Sequence, residues 1–316
     1  MSHLVKHDAL IEILIPTYNR SGDLLKNLEL LSNQLTKGAL SQRVRILISD
    51  NCSPDDTESK VNAFKEKNPR VALKYFRQTE NIGLEPNVVF VLEKATSEYI
   101  IWLGDDDYLD EGYLDYCIQK IETQPSIGCI LTSVKVLEKD NQTKYLRNET
   151  FEETDLPKGY DSIWEYSHYA HQMSGILLKR EGLLDAYLSR PEYRNPYLFI
   201  FFVVDRMSKY PSIYARKFRT SVTSFNKKDW TYNEVGLLDE VYKSYLYLLD
   251  IYSKGLVSRL LLRFTVLHSY RLSFKSGRLL PLLKEFHFLW NYIAFSTFRI
   301  GLVKFFVKEY IKSILR

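Results

Sequence analysis

Residues 99–109 read YIIWLGDDDYL, which is five apolar residues, a glycine and then three consecutive carboxylates before a further Tyr-Leu pair. The apolar run has the length and composition of a buried β-strand. Ligands of α/β sheets bind beyond the carboxyl ends of the strands, which is where these carboxylates would lie. The stretch therefore predicts an α/β protein with an acidic site at the end of this strand.

Other short β-rich runs lie on both sides of this one and alternate with helix-compatible stretches. Strands are predicted over residues 11–15, 44–49, 71–76, 99–103 and 130–136, and helices are predicted to begin near residues 21, 55, 86 and 111. Strands separated by helices imply parallel pairing through right-handed crossovers. A mainly parallel sheet would bring three polar clusters to one edge, at residues 16–20, 50–51 and 105–107.

The second half of the chain has a different pattern. Residues 137–225 are less regular, with a strand predicted around 173–179 and a helix over 196–209. From about residue 233 onward the periodicity is helical, with breaks near Gly277 and Pro281. The sequence therefore predicts an α/β catalytic domain over residues 1–225 and a helical region over residues 226–316.

The composition is that of an ordinary folded protein, with 45% hydrophobic and 26% charged residues in a chain of 316. Three cysteines, Cys52, Cys117 and Cys129, have no paired spacing, which predicts reduced thiols in a cytoplasmic compartment. The first residues lack a signal-peptide pattern, and no run reaches the ~18 apolar residues of a membrane span. We therefore expect a cytoplasmic protein that is soluble or peripheral to a membrane.

Charge is distributed unevenly along the chain. Residues 255–316 contain eleven Lys or Arg and two Glu, a net charge of +9, although the whole chain carries only +4. In the last predicted helix Lys304, Lys308, Lys312 and Arg316 recur every four residues beside an aromatic and aliphatic face. Basic amphipathic helices of this kind are typical of a membrane interface. The alternative is a helix that packs on the catalytic domain or on a second copy.

The three carboxylates at 105–107 predict metal chemistry. Adjacent like charges repel and raise one another's pKa unless a cation neutralises them. Mg²⁺ and Mn²⁺ take oxygen ligands, typically one or two carboxylates plus substrate phosphates. Such an ion would neutralise a diphosphate leaving group as the bond to it breaks. The alternative is a solvated acidic turn that caps the next helix.

Residues 16–20 read PTYNR and residues 50–57 read DNCSPDDT. The glycine-rich phosphate loops GxGxxG and GxxxxGK[ST] are absent from the chain, which argues against dinucleotide dehydrogenases and P-loop NTPases. A turn with Pro, Tyr and Arg can offer backbone groups and a ring face to a base, with its cation near phosphate. Asp50 can hydrogen-bond a base or ribose. Plain strand-to-helix connections are the alternative for both segments.

Taken together, the segments ILIPTYNR, ISDNCSPDDT, NIGLEPN and YIIWLGDDDYL resemble family 2 glycosyltransferases of the GT-A fold. Within this family, the motifs resemble those of bacterial O-antigen and capsule enzymes, including abequosyltransferase-like proteins. The resemblance covers residues from about 10 to 225. It implies a GT-A fold, transfer of a sugar from a nucleotide-diphosphate donor to a hydroxyl of a growing surface glycan, and a divalent metal cofactor, Mn²⁺ or Mg²⁺. It also implies inversion at the anomeric carbon.

The resemblance assigns the nucleotide to the first two motifs. Pro16, Thr17 and Tyr18 resemble the base-binding turn of the family, with Arg20 nearby. Asp50 resembles the carboxylate that contacts the base.

The other two motifs complete the implied site. Asn81 and Gly83 resemble the Asn-x-Gly turn beside the nucleotide. Asp106 matches the last Asp of the metal-binding D-x-D motif, and Asp105 and Asp107 are expected to contact the nucleotide sugar and the metal, respectively.

This sequence departs from the family pattern at three places. Gly104 stands at the first position of the D-x-D motif, and residues 85–86 are Glu-Pro where the family often has an arginine. The family also presents its catalytic base within Glu-Asp on a helix, and here Asp205 follows a valine. We expect Asp205 to be the base, unless it forms a plain ion pair on the helix surface. The fallback candidates are Glu192, His168 and His171.

The sequence therefore predicts a glycosyltransferase at the inner face of the cytoplasmic membrane, acting as a monomer or a homo-oligomer. Its expected partners are a nucleotide-sugar donor, a free or lipid-linked glycan acceptor and the membrane surface, without nucleic acid. A metal-dependent nucleotidyltransferase is the rival enzyme, but the basic glycine-rich loop it needs is absent. The other rival is a nucleic-acid-binding module that uses the basic tail.

Overall fold

The computed structural model describes residues 9–38, 40–137, 143–147, 153–223, 234–267 and 279–314. The chain forms two compact units. The first unit comprises residues 1–189 and 202–227, and the second comprises residues 190–201 and 228–316. The second unit therefore includes residues 190–201 in addition to most of the predicted helical region.

One sheet of ten strands, counted over the described residues, forms the centre of the first unit. The strands in chain order are β1 (Ile11–Thr17), β2 (Val44–Asp50), β3 (Leu73–Arg77), β4 (Tyr99–Trp102), β5 (Tyr108–Leu109), β6 (Cys129–Leu137), β7 (Thr143–Arg147), β8 (Thr154–Leu156), β9 (Leu177–Lys179) and β10 (Ser212–Thr223). Their order across the sheet is β3-β2-β1-β4-β9-β6-β10-β5, with β7 beside β6 and β8 beside β10. The first four strands of this order are parallel, as predicted.

Helices connect the strands and continue into the second unit. They are α1 (Ser21–Leu35), α2 (Leu40–Arg43), α3 (Thr57–Lys67), α4 (Leu84–Lys94), α5 (Tyr113–Thr123), α6 (Tyr160–Tyr166), α7 (Leu183–Leu188), α8 (Leu198–Lys209), α9 (Glu234–Leu246), α10 (Lys254–Leu267), α11 (Leu279–Tyr292) and α12 (Ser296–Ile314). Short 3-10 helices lie at Ser167–His171, Pro191–Tyr193 and Tyr247–Asp250.

Burial explains why the first strands are mostly apolar on both faces. Every residue of β1 is buried, and all but one of β2. Central strands of a parallel sheet are covered by helices on both faces, so they lose the alternation of polar and apolar residues. The leucines of α1 recur at helical spacing, and Leu24, Leu28, Leu31 and Leu35 all pack into the core beside β1. The α/β prediction is confirmed for this reason.

The structure differs from the sequence prediction around residues 173–179 and 212–223. β9 begins only at Leu177, because Gly175 has a left-handed backbone with φ of +85° and turns the chain toward the strand. The long strand β10 was not predicted. Its sequence is rich in polar and charged residues, and an irregularity between Ala215 and Arg219 breaks the alternation of its faces.

The second unit is helical over its described residues. Tyr242 and Thr265 share a buried hydrogen bond of 2.5 Å, and the Tyr242 ring meets Phe298 edge to face at 5.9 Å. Gly301 lets α12 approach α10, since a Cβ there would lie 2.3 Å from a methyl carbon of Leu262. Pro281 falls in the first turn of α11, where proline is tolerated, whereas Gly277 lies outside the described residues.

Membrane-spanning helices are absent from the described part of the chain, since none of its helices combines the length and hydrophobicity needed to cross a bilayer.

Gly175 provides a test of packing where β10 meets the turn before β9. A Cβ at Gly175 would lie 2.0 Å from Thr220 Oγ1 and 2.8 Å from Thr132 Oγ1. Overpacking costs ~1–3 kcal/mol and the left-handed backbone a further ~1–2 kcal/mol. We therefore expect Gly175→Ala to lower the free energy of unfolding by about 3 kcal/mol in urea denaturation.

Gly182 is the matched control for this substitution. Its φ is also positive, at +62°, but no atom lies within 4 Å of the Cβ position. Gly182→Ala should cost only ~1–2 kcal/mol. Equal losses from the two variants would show that backbone strain alone, without the contact to Thr220, determines the cost.

Candidate functional site

The site forms where three parallel strands end side by side. Thr17, the last residue of β1, is paired with Asp50, the last residue of β2. On the other side Leu14 pairs with Trp102, so Thr17 and Asp105 each lie three residues further on. The Thr17 hydroxyl donates a 2.8 Å hydrogen bond to Asp105 Oδ2, which joins the first and third polar clusters.

Arg20 connects the same clusters through charge. Its guanidinium Nη1 lies 3.2 Å from Asp105 Oδ1 and 3.1 Å from Asp106 Oδ2. The Thr223 hydroxyl, at the end of β10, also donates to Asp106 Oδ2 at 3.1 Å. Asp105 therefore binds residues of its own chain through both oxygens, and Asp106 Oδ2 pairs with Arg20 and accepts a hydrogen bond from Thr223.

Burial raises the pKa of Asp105 and of Asp107. Desolvation raises the pKa of Asp105 to about 6, although the Arg20 charge acts in the opposite direction. Desolvation, reinforced by the neighbouring Asp106 charge, raises the pKa of Asp107 to about 8. Two buried acids beside a third carboxylate are unstable as anions unless cations neutralise them.

Asp107 is held from the opposite side of the site. The Ser174 hydroxyl donates to Asp107 Oδ2 at 2.5 Å, and the Gln172 amide donates to the same atom at 3.2 Å. Ser174 Oγ also accepts the backbone N–H of Gly104 at 2.9 Å. The turn before β9 therefore holds both ends of residues 104–107, the acidic segment.

Gly104 explains the departure from the D-x-D pattern. A Cβ at this position would lie 2.9 Å from Asp107 Oδ2 and 3.3 Å from Ser174 Oγ. An aspartate at residue 104 would therefore displace the Asp107 carboxylate from its position against Ser174. In this chain Asp107 occupies the space beside residue 104.

Asp50 lies fully buried at the end of β2. Its Oδ1 accepts hydrogen bonds from the backbone and the hydroxyl of Ser53, and its Oδ2 accepts the Tyr75 hydroxyl at 2.6 Å. Burial and the Asp50 charge raise the pKa of Tyr75, so this hydroxyl stays protonated and donates. Arg77 Nε lies 3.6 Å from the same oxygen.

Asn51 holds the turn at residues 81–83 against β2. Its side-chain amide donates to Asn81 Oδ1 at 2.8 Å and to the Gly83 carbonyl at 3.3 Å, while its oxygen accepts the Ile82 N–H at 2.9 Å. The predicted Asn-x-Gly turn thus reaches the second cluster through Asn51, a member of that cluster to which the sequence assigned no role.

Two residues after β1 and β2 have strained backbones. Asn19 has a φ of +56° and Cys52 a φ of +62°, both in the left-handed region that residues with a Cβ seldom adopt. The Asn19 N–H donates to Ser53 Oγ at 2.9 Å, so the turn after β1 is joined to the segment that follows β2. Tyr18, between Pro16 and this turn, exposes its ring to solvent. Strain of this kind occurs mainly at functional sites.

The structure therefore brings together the predicted nucleotide and metal residues, which are Pro16, Thr17, Tyr18, Arg20, Asp50, Asn81, Gly83, Asp105, Asp106 and Asp107. Partners that the sequence missed include Tyr75, Gln172, Ser174 and Thr223. Asn27 was also missed, although a polar residue within the leucine stripe of α1 was a usable signal. Its amide donates to the Gly104 carbonyl at 2.8 Å.

Comparison with known proteins identifies this arrangement. The family described as Glycosyl transferase family 2 matches residues 12–186, more than half of the chain. The chain belongs to glycosyl transferase family 2.

Two curated family members show the extent of the similarity. The GalNAc(5)-diNAcBac-PP-undecaprenol beta-1,3-glucosyltransferase of Campylobacter jejuni is 33% identical over 111 residues, which are 35% of this chain and 34% of that protein. Abequosyltransferase RfbV of Salmonella typhimurium is 29% identical over 134 residues, which are 40% of this chain and 39% of that protein. The chain thus matches little more than a third of each relative's length.

Solved structures support the GT-A fold of this family 2 chain. S. aureus TarS in complex with UDP-GlcNAc superposes with a TM-score of 0.69 and 14% identity, over 96% of this chain and 88% of that one. A mannosyltransferase from Pyrobaculum calidifontis in complex with GDP-Man and Mn²⁺ gives a TM-score of 0.54 and 16% identity with the same coverages. At these identities the likeness concerns the fold alone.

Asp205, the predicted base of this family 2 chain, lies away from the carboxylate cluster. It is fully buried. Its Oδ2 accepts a hydrogen bond from the Arg206 guanidinium, and its Oδ1 accepts one from Lys209 Nζ at 2.6 Å. Arg206 also donates to the carbonyls of Lys179 and Glu181.

The strand register places this ion cluster at the end of β4 opposite to the carboxylates. Lys179 pairs with Tyr99, the first residue of β4, whereas Asp105 follows the end of the same strand. The contacts of Asp205 are those of a buried ion pair that fastens α8 to β9. This geometry does not support a role for Asp205 in deprotonating the acceptor.

The fallback candidates lie on two short helices. His168 and His171 belong to the 3-10 helix Ser167–His171, which leads directly to Gln172 and so to Asp107. Glu192 belongs to the second unit, where it is exposed and lies 3.9 Å from Arg190. Their catalytic roles stay predictions from the sequence.

The buried pair predicts the effect of changing Asp205. Asp205→Asn would leave the Arg206 charge, which is 1% exposed, without its counter-ion. Breaking a buried ion pair costs ~3–5 kcal/mol. We expect this loss in urea denaturation, with kcat of the folded fraction within a few-fold of wild type. The exposed Asp185→Asn is the control. Normal stability together with a kcat lowered ~10²–10⁴-fold would instead establish Asp205 as the base.

Proposed function

We propose that this family 2 chain transfers a sugar from a nucleotide-diphosphate donor to a hydroxyl of a bacterial surface glycan. The observation that carries the proposal is the meeting of Asp50, the 81–83 turn, Arg20 and three carboxylates at one edge of the parallel sheet. One named relative is a glucosyltransferase that acts on an undecaprenol-linked glycan, and the other is an abequosyltransferase. The name of the first supports a glycan acceptor here.

The two ends of the site suit the two ends of such a donor. We assign the base to the side of the site formed by the buried Asp50 and the exposed ring of Tyr18, with Asn81 and Gly83 bordering the same region. Arg20 and the acidic segment lie on the β4 side, where the diphosphate would bind. Binding along this edge follows the rule for open α/β sheets.

The acidic segment fits a divalent metal that the donor helps to bind. The described residues contain no cluster of three or more acidic, His or Cys side chains in metal-binding geometry. Two carboxylates nevertheless suffice for Mg²⁺ or Mn²⁺ when diphosphate oxygens complete the shell. Asp106 and Asp107 would hold the ion, and it would neutralise the diphosphate as the glycosidic bond breaks.

The residues of the chain prepare this chemistry before the donor binds. Thr17 and Arg20 fix Asp105, and Ser174 and Gln172 fix Asp107, so Asp106 is presented between two anchored neighbours. Arg20 places a positive charge where charge develops on the leaving diphosphate. Preorganised charges of this kind stabilise a transition state because they need no reorganisation during the reaction.

Donor identity can be measured by thermal stabilisation. UDP, GDP, CDP and dTDP, each with and without Mn²⁺, should separate by the shift in unfolding temperature, since a ligand at 100 times its Kd stabilises by ~2.7 kcal/mol. Stabilisation by none of the four would contradict a nucleotide-diphosphate donor.

Asp106 is the residue whose change tests the metal assignment. We expect Asp106→Asn to lower turnover at least ~10²–10³-fold and to abolish the effect of Mn²⁺ on nucleotide affinity. Asp115→Asn, an exposed carboxylate of α5, should change neither quantity. Full activity in chelator, with the Asp106 variant like wild type, would exclude a metal at this residue.

The second unit supplies a surface that fits a membrane partner. On α12, exposed apolar side chains recur three, seven, ten and eleven residues after the first, so they share one helix face. This apolar stripe consists of Ile300, Val303, Val307, Tyr310 and Ile311, which are 39–58% exposed. A different face of α12 carries the buried Phe298, Leu302 and Phe306.

Charge selects an anionic bilayer as the partner of the apolar stripe. Lys304 and Lys308 are exposed and lie beside the stripe, within a segment of net charge +9. Each basic residue near an anionic surface contributes ~1 kcal/mol, and apolar insertion adds to it. A second copy of α12 would instead set these lysines against one another. We propose peripheral binding at the inner face of the membrane, where a lipid-linked acceptor would be met.

Liposome sedimentation tests this surface. Val303→Glu with Val307→Glu should reduce binding to vesicles rich in phosphatidylglycerol at least tenfold, because two charges would enter the apolar stripe. Wild-type binding should fall as salt rises, and truncation before residue 300 should weaken it while nucleotide binding persists. Leu30→Glu, at an exposed leucine of α1, is the control. Equal binding to neutral and anionic vesicles, or a change in oligomeric state without lipid binding, would contradict the proposal.

A further inference from the structure

Arg20 binds the carboxylates in a way that its position at the start of α1 does not require. Its guanidinium bridges Asp105 and Asp106, and its side chain is only 21% exposed. Asp105 is fixed a second time by Thr17. The bridge therefore has one end at Asp105, which Thr17 also holds, and one end at Asp106 Oδ2, which Thr223 also holds and which belongs to the residue assigned to the metal.

Asp106 Oδ2 is the atom at which two cations would compete. It lies 3.1 Å from Arg20 Nη1 in an ion pair, and it accepts a hydrogen bond from the Thr223 hydroxyl at 3.1 Å. A metal ion bound by Asp106 needs oxygen lone pairs from this carboxylate, and it repels a guanidinium in contact with the same group. Arg20 has no lone pair to offer an ion, since guanidinium groups only donate.

A diphosphate changes this balance. Guanidinium groups bind phosphate oxygens through geometrically matched donors, and metal ions also bind them. With a diphosphate present, Arg20 can exchange the Asp106 oxygen for phosphate oxygens while its bond to Asp105 keeps it in the site. Asp106 then becomes available to the ion.

We propose that Arg20 is a built-in counter-ion of Asp106 that opposes metal binding until a diphosphate arrives, so that metal and nucleotide bind cooperatively. This inference rests on the metal assignment of the proposed function and adds the residue that couples the two ligands. Coupling between two ligands is reciprocal, so the factor by which nucleotide strengthens metal binding equals the factor by which metal strengthens nucleotide binding.

The test is the affinity for Mn²⁺ alone, measured by the loss of the free-ion signal in electron paramagnetic resonance. An opposite charge in contact shifts a carboxylate pKa by 1–3 units, so its removal should change cation affinity by about tenfold or more. We expect Arg20→Gln to bind Mn²⁺ about tenfold more tightly than wild type. The same variant should bind nucleotide more weakly than wild type in the absence of metal. The nucleotide used is whichever of UDP, GDP, CDP and dTDP stabilises the wild type.

Two variants control for charge and for folding. Arg20→Lys keeps a cation at residue 20 and should stay within about threefold of wild type for Mn²⁺. Lys74→Gln removes one charge from an exposed residue of β3 and should leave Mn²⁺ affinity unchanged. If Arg20→Gln does not fold, the wild type labelled with ¹⁵N-arginine answers the same question. Its guanidinium resonance should move when Mg²⁺ and diphosphate nucleotide are added together, and much less with Mg²⁺ alone.

The outcomes separate the inference from the proposed function. Mn²⁺ binding that is equal or weaker in Arg20→Gln, or an Arg20 resonance that shifts fully with Mg²⁺ alone, would overturn the role of Arg20 while leaving a metal at Asp106. No Mn²⁺ binding by any variant, with or without nucleotide, would overturn the metal assignment itself.

Discussion

The arrangement of the site depends on one electrostatic constraint, the placement of three adjacent carboxylates at the end of a buried strand. Asp105 and Asp107 are buried, and burial raises the pKa of both. Polar groups from distant parts of the chain therefore converge on them, including Thr17, Arg20 and Ser174. Arg20 supplies one positive charge to three carboxylates, and this imbalance is the basis of the metal assignment proposed for Asp106 and Asp107.

Backbone conformation allows these groups to approach. Gly104 leaves the space that the Asp107 carboxylate occupies, and Gly175 turns the chain tightly enough for Ser174 to reach the acidic segment. On the opposite side, Asn19 and Cys52 adopt left-handed backbones in the two turns beside Asp50. The strained positions lie in the same turns as the polar clusters, so folding energy from the buried sheet maintains a geometry that the turns would not adopt by themselves.

In the second unit, helix α12 has two apolar faces. Phe298, Leu302 and Phe306 bury one face of α12, and the neighbouring α10 approaches closely at Gly301. The apolar stripe lies on another face and stays exposed, with lysines beside it. A helix that only stabilised its own unit would need a single apolar face. The exposed second face and the lysines beside it are the features on which the proposed membrane binding rests.

The sequence by itself determined the parallel half of the sheet and the acidic edge, because buried strands are mostly apolar on both faces and the register of parallel strands aligns the residues that follow them. It did not determine the partners of the carboxylates. Thr223 lies 117 residues from Asp106 on a polar, irregular strand that periodicity does not reveal. Asp205 illustrates the same limit. Its neighbours in sequence suggest a helix with an available acid, but only the pairing of β9 with β4 decides that this end of α8 lies at the opposite edge of the sheet. Local patterns specify which elements form, whereas contacts between distant segments specify which side chains meet.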